Sequence, residues 1–375
     1  MAGLRTKSQH ITIVDVARES GFSASTVSIV LNEAPLSRYV AATTKEQIRT
    51  TAERLGYHPD LFARSLRSRR THTIGVMIFD ISDPFCTLIL RGIERALHGT
   101  GYLPLMMDAH NNREQFEGYL RMLVERRIEG LIVVANWLFQ ECGLLTRLQE
   151  RGLPIVVVGR DLAADGFRSV VVENERGGTM AVQYLYELGH RRIGAIRGPV
   201  QMSDSSGRWE GIQRFCAGHG IAIREVHVRT LPDLLDPFAV FERGAVLAEE
   251  IARADDDFSA LIGFDDLTAL GAMRGLAQAG VRVPEECSVI GFDDIPAASF
   301  TTPGLTTIRQ PMEEMGAMTT EHLLKMLSNP EETAADGGAL VQKLAPALIA
   351  RGSTMRIEGE ERHRSSDLTR KAQAE

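Results

Sequence analysis

The stretch Asp15–Asn32, DVARESGFSASTVSIVLN, decides how the rest of the chain is read. Two short helix-like runs meet at Ser20-Gly21-Phe22-Ser23, and the second run is crowded with small hydroxyls and nearly free of charge. Just upstream, Thr12 with Asp15 three residues on reads as a capping-box variant, with Ile11 and Val16 at staple positions. Gly21 suits the left-handed residue that closes a helix. Ser23 suits the cap of a second helix running to about Asn32. Val16, Ala17, Phe22, Val27, Val30 and Leu31 then supply a small shared core. In a third helix, Thr43 and Glu46 form a capping box, Ile48, Ala52 and Leu55 mark one face, and Gly56 with Pro59 ends the run. Three short helices, the first two joined by a tight glycine turn, make a helix-turn-helix unit. An αα-hairpin with a polar surface is the plainer alternative. A helix lying in a major groove approaches base edges and phosphates closely, so short donors and methyls suit it better than long chains.

Charge separates the N-terminal region from the rest of the chain. The 375 residues carry a formal net charge of −7. Residues 1–72 hold 11 Lys+Arg against 6 Asp+Glu, while the remainder is net −12. A basic head on an acidic body points to a polyanion partner for the head alone, although a solvated basic face has the same balance. The length calls for two or three domains. No apolar run approaches the roughly 20 residues that span a bilayer, and Met1–His10 has no apolar leader-like segment. Cys86, Cys142, Cys216 and Cys287 are scattered without a CxxC pair, which reads as buried thiols in a reducing cytoplasm. Nothing in the chain calls for a metal or a cofactor.

From Thr73 the pattern changes to apolar runs alternating with amphipathic helices. TIGVMIF, YLPLMMD, GLIVVA and PIVVVG are followed by a restart at RIGAIRG, ALIGFD and CSVIGFDD. These read as buried parallel strands in a doubly wound α/β arrangement. The restart implies two similar subdomains with a cleft at the carboxyl ends of their strands, suited to a ligand held between hinged lobes. Polar residues stand just past several strands: Asp83 and Phe85 after the first, Arg160 after the fourth, and Asp265 and Asp293 after later ones. Such carboxylates and arginines hold hydroxyls, and Phe85 or Trp137 offers a ring face. Helix capping or a salt bridge between lobes is the plainer reading of each.

ITIVDVARESGFSASTVSIVLN, together with RLGYHPDLFARSLRSRRTHTIGVMI, resembles the start of a LacI/GalR-family regulator, and the resemblance runs to about Thr354. It implies a periplasmic-binding-protein-like body and DNA contacts in the head. Ser23 and Ser28 would touch phosphate, and Ala24, Ser25 and Thr26 would open the base-reading helix that ends near Asn32. Arg38 matches a place where some members read a base. Ile29 departs from the polar residue usual in the family; it suits a thymine methyl and cannot pair with guanine. The loop Glu33–Ala42 is about three residues longer than usual. In Asp60–Arg70, DLFARSLRSRR, a segment too short to be helical alone in water, the family places a hinge helix. Leu66 matches its minor-groove wedge and Arg67 the cation beside it. Arg208 matches the family's effector-binding arginine and Asp293 a family ligand position, whereas Gly159-Arg160 and Asp265 stand where Asp-Arg and Asn are common.

The resulting expectation is a cytoplasmic, ligand-responsive transcriptional repressor. Residues 1–60 form the DNA-binding domain, 61–72 the hinge, 73–354 the two-lobed effector-binding and dimerisation body, and 355–375 a charged, disordered tail. A homodimer would bind double-stranded, roughly palindromic operator DNA, and the cleft would take a small molecule. A sugar fits best; nucleosides and phosphorylated metabolites stay open. Two alternatives share the body. A transporter's solute-binding protein has no use for residues 1–72. An enzyme using Asp265-Asp266 or Asp293-Asp294 as acid–base pairs is not backed by any P-loop, GxSxG, HExxH or Cys/His cluster.

Overall fold

The computed structural model describes residues 11–57, 70–134, 143–221, 223–232, 236–254, 257–329 and 341–357. It divides into two compact units, Met1–Thr71 and His72–Glu375. The first contains α1 (Ile13–Ser20), α2 (Ala24–Leu31), a 3-10 turn over Pro35–Tyr39, and α3 (Ala42–Leu55). Thr12 and Asp15 cap α1 reciprocally, and Gly21 closes it in the left-handed conformation with φ 76°. Val16, Ala17, Val27, Val30, Ile48 and Ala52 form the core, flanked by Ile11, Phe22, Leu31, Val40 and Leu55. One expectation is corrected. The cap of α3 is Ala41, without a side-chain bond, and Thr43 already lies inside the helix. Val40 packs against the core and turns the chain into the helix two residues before the threonine. The expected hinge, with Leu66 and Arg67, lies outside the described residues.

In the body, one six-stranded sheet holds β1 (Thr73–Ile78), β2 (Leu103–Asp108), β3 (Gly130–Val134), β4 (Ile155–Val158), β5 (Arg168–Val172) and β11 (Val341–Leu344). Its order is β11-β5-β4-β3-β1-β2, parallel throughout. A second sheet holds β6 (Ile193–Arg197), β7 (Val228–Thr230), β8 (Ala260–Gly263), β9 (Ser288–Asp293), β10 (Thr306–Arg309) and β12 (Ala347–Ile349). It runs β12-β10-β9-β8-β6-β7, with only β12 antiparallel. Each sheet therefore belongs to its own lobe, and β3, β4 and β8 are buried along their whole length, as strands covered by helices on both faces must be. The run YLPLMMD is not a buried strand. β2 is an edge that pairs only with β1, and Leu103 and Met106 are 62% and 55% exposed.

The helices are, in chain order, α4 (Pro84–Leu97), α5 (Arg113–Glu125), α6 (Gly143–Glu150), α7 (Asn174–Glu187), α8 (Ser203–Gly218), α9 (Pro237–Ala254), α10 (Asp266–Gln278), α11 (Pro296–Phe300) and α12 (Met312–Ser328). Among the described residues the chain passes between lobes three times: from β5 to α7, from β10 through Gln310-Pro311 to α12, and from β11 to β12. The first passage leads into the close pair α7 and α8. A Cβ on Gly178 would stand 2.0 Å from the Arg208 carbonyl oxygen, and one on Gly211 equally near that of Glu175. This contact fixes where Arg208 begins its side chain. Ordered contacts continue past Thr354, since the Ile357 amide donates to the Leu188 carbonyl at 2.9 Å; residues 358–375 lie outside the described residues. Cys86, Cys216 and Cys287 are buried free thiols, and Cys142 lies outside the described residues.

Candidate functional site

The head offers one candidate surface. Ser23 Oγ accepts the Thr26 amide at 3.1 Å and lies 2.7 Å from Ser25 Oγ and 2.8 Å from Thr26 Oγ1. The start of α2 is thus a preassembled group of hydroxyls around the free amides of a helix N-terminus, an arrangement suited to phosphate. Ser23, Ala24 and Ser25 are exposed, while Thr26, Ser28 and Ile29 are half-buried beside the core residues Val27 and Val30. The Asn32 amide turns inward and donates to Ser28 O and Oγ at 2.8 and 3.2 Å, so it closes the helix. Arg38 stacks its guanidinium 4.7 Å above the Tyr39 ring, and both are exposed on the 3-10 turn.

The body brings the second set together between its lobes. Phe79, Asp83, Pro84, Phe85 and Gly159 come from the first lobe, and Met202, Ser203, Asp204, Arg208, Phe264, Asp265, Leu267, Asp293 and Ile295 from the second, with Gln310 at a crossing. These line a narrow cleft of about 60 Å³. It adjoins, at Gly159 and Ser203, a recess of about 400 Å³ bounded by Asp161, Glu173, Asn174, Arg176 and Lys343. The positions result from topology, because strand carboxyl ends at the reversal of strand order leave a crevice. Of the residues expected from sequence, Asp83, Phe85, Arg208, Asp265 and Asp293 converge here. Arg160 does not line the cleft. Gly159, at φ 94°, holds that place and turns the chain past it. Trp137 lies outside the described residues.

Arg208, only 6% exposed, is fully engaged. Its Nε donates to Asn174 Oδ1 at 3.0 Å and an Nη to the Phe264 carbonyl at 2.6 Å. The other Nη lies 3.7 Å from Asp204 and 3.6 Å from Asp293. Phe292 and Phe264 pack at 3.7 and 4.7 Å from the guanidinium carbon. Asp83 and Asp265 each cap a helix with Oδ1, accepting the Phe85 amide at 2.9 Å and the Thr268 amide at 2.7 Å. The capping reading and the cleft reading thus hold for the same side chains. Burial raises the Asp83 carboxyl to about 7, with the charges of Asp265, Asp80 and Asp204 adding to it and the Phe85 amide opposing. Burial likewise pushes Asp265 up. It pushes Asp293 well up, against the pull of Arg208.

Each Asp-Asp pair divides its labour. Asp266 is buried away from the cleft and accepts the Ile295 amide at 2.8 Å and the Thr307 hydroxyl at 2.5 Å. Asp294 is held by Arg309 at 2.7 Å and Arg351 at 2.6 Å. Neither pair presents two carboxylates to one reacting centre. Asp293 and Asp294 both adopt positive φ, 116° and 61°, which costs about 1–3 kcal/mol each and persists only where neighbours enforce it. Here the two arginines on Asp294 do so. Sequence reasoning missed Asp204 and Gln310. Asp204 sits one helical turn before Arg208, a spacing that was there to be read; Gln310 gave no local signal.

Residues 12–60 match the model of bacterial regulatory proteins of the lacI family, and residues 182–354 a periplasmic binding protein-like domain. The HTH-type transcriptional repressor PurR of Photorhabdus laumondii is 34% identical over 346 residues, spanning 92% of this chain and 97% of that protein. The chain belongs to the lacI family. Among solved structures, a transcriptional regulator CelR–cellobiose complex is 27% identical with a TM-score of 0.66, covering 92% of this chain and 99% of that one. A lac repressor dimer bound to operator and the anti-inducer ONPF, at 24% identity and a TM-score of 0.78, covers 92% and 100% and shares the fold. This lacI-family member is therefore a DNA-binding transcriptional regulator. No described helix is long and apolar enough to cross a membrane.

Proposed function

We propose that the chain is a cytoplasmic repressor that binds a roughly palindromic operator as a dimer and takes a neutral polyhydroxylated effector, a sugar, between its lobes. The observation that carries this is the convergence of Arg208, Asp83, Asp265 and Asp293 on one cleft at strand ends. Four carboxylates, Asp204 included, face a single guanidinium that already has protein partners. That balance disfavours phosphorylated effectors and suits hydroxyls, which donate to carboxylates in pairs. The names of similar proteins support it: one is a repressor, another a complex with cellobiose. In the head, Ser23 and Ser28 would hold phosphates, and Ala24, Ser25, Thr26, Ile29 and Arg38 would face bases. Leu66 would wedge into the minor groove beside Arg67, and Asn32 would act by closing α2. Ligand between the lobes would alter their pose and so the spacing of the two hinges, with a reciprocal coupling of about 1–3 kcal/mol.

Thermal unfolding of the full-length chain with ribose, cellobiose and a nucleoside series is the test, because bound ligand raises apparent stability. Arg208→Ala should abolish the shift given by whichever compound stabilises the wild type. A shift that survives intact in that variant removes the effector from this cleft.

A further inference from the structure

Gln310 does more than line the cleft. It is 5% exposed and sits between β10 of the second lobe and α12, which packs on α4 of the first. Its Nε2 donates to Asp293 Oδ1 at 2.5 Å, and its amide donates to the Asp293 carbonyl at 3.3 Å. On the other side its carbonyl accepts the Met312 amide at 2.9 Å, and the Pro311 carbonyl accepts that of Met315. One residue is therefore bonded by its side chain to a cleft carboxylate, by its amide to the main-chain carbonyl of the same aspartate, and through its own carbonyl to the first turn of a helix in the opposite lobe. Pro311 between them has a ring-restricted φ, so little slack exists at this crossing.

We infer that Gln310 is the positioning residue that passes the bonding state of Asp293 to the crossing between the lobes, and hence to operator affinity. This rests on the cleft being the effector site but is tested without any effector. Asp293 is suited to the task. Its backbone is held at φ 116°, while the next carboxylate, Asp294, is anchored by Arg309 and Arg351 within the second lobe. A carboxylate on an anchored corner responds to a new hydrogen-bond donor by changing what it offers its existing partners, and Gln310 is the partner that bonds on to the first turn of a helix in the first lobe. Arg208, the other group at Asp293 Oδ1, is spread over the Phe264 carbonyl and Asn174, the latter at the separate β5–α7 crossing.

The experiment is a double-mutant cycle on the full-length chain, read as affinity for a duplex selected by the wild type from a random pool. Gln310→Leu removes the side-chain bond at nearly constant volume and Asp293→Ala removes its acceptor. Each is expected to change operator affinity by about fivefold or more. The double variant should differ from wild type no more than Asp293→Ala does, because Gln310→Leu removes nothing further once its acceptor is gone. If Gln310 merely packs, Gln310→Leu lowers the thermal midpoint and leaves operator affinity alone, which overturns the inference. So do effects that multiply in the double variant. Should Gln310→Leu not fold, Gln310→Glu keeps the shape and sets a carboxylate against Asp293. Wild-type operator affinity in that folded variant at pH 8 overturns the inference equally, and a shift of about fivefold supports it. Loss of operator coupling with an intact Arg208-dependent ligand shift, or the reverse, separates this inference from the effector-site reading.

Discussion

Ser23, Ala24 and Ser25 stand in water at the start of α2, whereas Arg208 is 6% exposed and surrounded by carboxylates and rings. The two regions meet polar ligands under opposite conditions. On α2, hydroxyls bonded to one another and to the helix N-terminus keep their hydration in the free chain, and on the proposed reading DNA would displace it. What they would read depends on which side chains succeed one another along a single helix. In the cleft, charged groups have lost much of their water before any ligand arrives, and burial, with the neighbouring carboxylates adding to it, moves Asp83 towards neutrality. A surface site can therefore be re-specified by single substitutions, while a buried one is a network in which each change reaches the others.

The largest contrast should come from the cores beneath the two sites. Ile48 is fully buried in the small core of the head. Ile48→Ala should cost about 2–5 kcal/mol, which a core of this size does not withstand. Operator binding measured by anisotropy should be lost, while the calorimetric transition of the body stays in place. A variant that still binds operator would mean that α3 does not hold α2 in position.

Glycine substitutions come next. Gly178→Ala drives a Cβ against the Arg208 carbonyl, where backbone cannot yield cheaply, and should destabilise the body by at least about 1–3 kcal/mol. Gly21→Ala meets nothing within 4 Å and carries only the strain of its positive φ, which should cost the head about 1 kcal/mol. Equal effects, read by calorimetry for the body and circular dichroism for the head, would show that the α7–α8 contact is not the constraint on Arg208.

The smallest effect concerns pH. Asp83 has its folded pKa raised from 3.8 to about 7. The folded chain therefore holds more protons than the unfolded one between those values, and stability falls as pH rises through that window. The body should melt higher at pH 6 than at pH 8, and Asp83→Asn should flatten part of that slope. Asp266, also raised to about 7 by burial, together with Asp265 and Asp293, which burial pushes up as well, keeps the slope from vanishing. The head surface, with no buried carboxylate among its described residues, should show no comparable slope. An unchanged slope in Asp83→Asn would mean that the cleft is wetter than its geometry implies.

The head was almost wholly legible in the sequence because its signals are local. Thr12 with Asp15, Gly21, and Ser23 are caps whose partners lie within four residues, and each does what its chemistry suggests. The one error, the cap of α3, arose because the helix begins at Ala42, just past the core-packed Val40, so that Thr43 already lies inside it. In the body, the apolar runs of β1, β3, β4, β6, β8 and β9 announce themselves, because strands covered on both faces must be apolar. β7, β11 and β12 escape notice because they are three or four residues long and lie at sheet edges, β7 and β11 with polar side chains; β5 and β10, which open on polar residues, escape it too. β2 misleads for the opposite reason, since its apolar residues lie on an exposed edge.

What the sequence by itself determined was the head, the alternation of the body and the residue types at strand ends, including Asp83 and Asp293. Each of these depends on neighbours along the chain or on a period set by backbone geometry. The tertiary structure alone decided that Asp204 and Gln310 join the cleft, that Arg160 stays out of it, and that Asp266 and Asp294 turn away from it. Those outcomes depend on where segments far apart in the chain converge. Asp293 and Gln310 are 17 residues apart, and Arg208 and Phe264 are 56 apart. At such separations no local pattern records a contact, because packing between elements, not propensity within them, selects which polar groups meet.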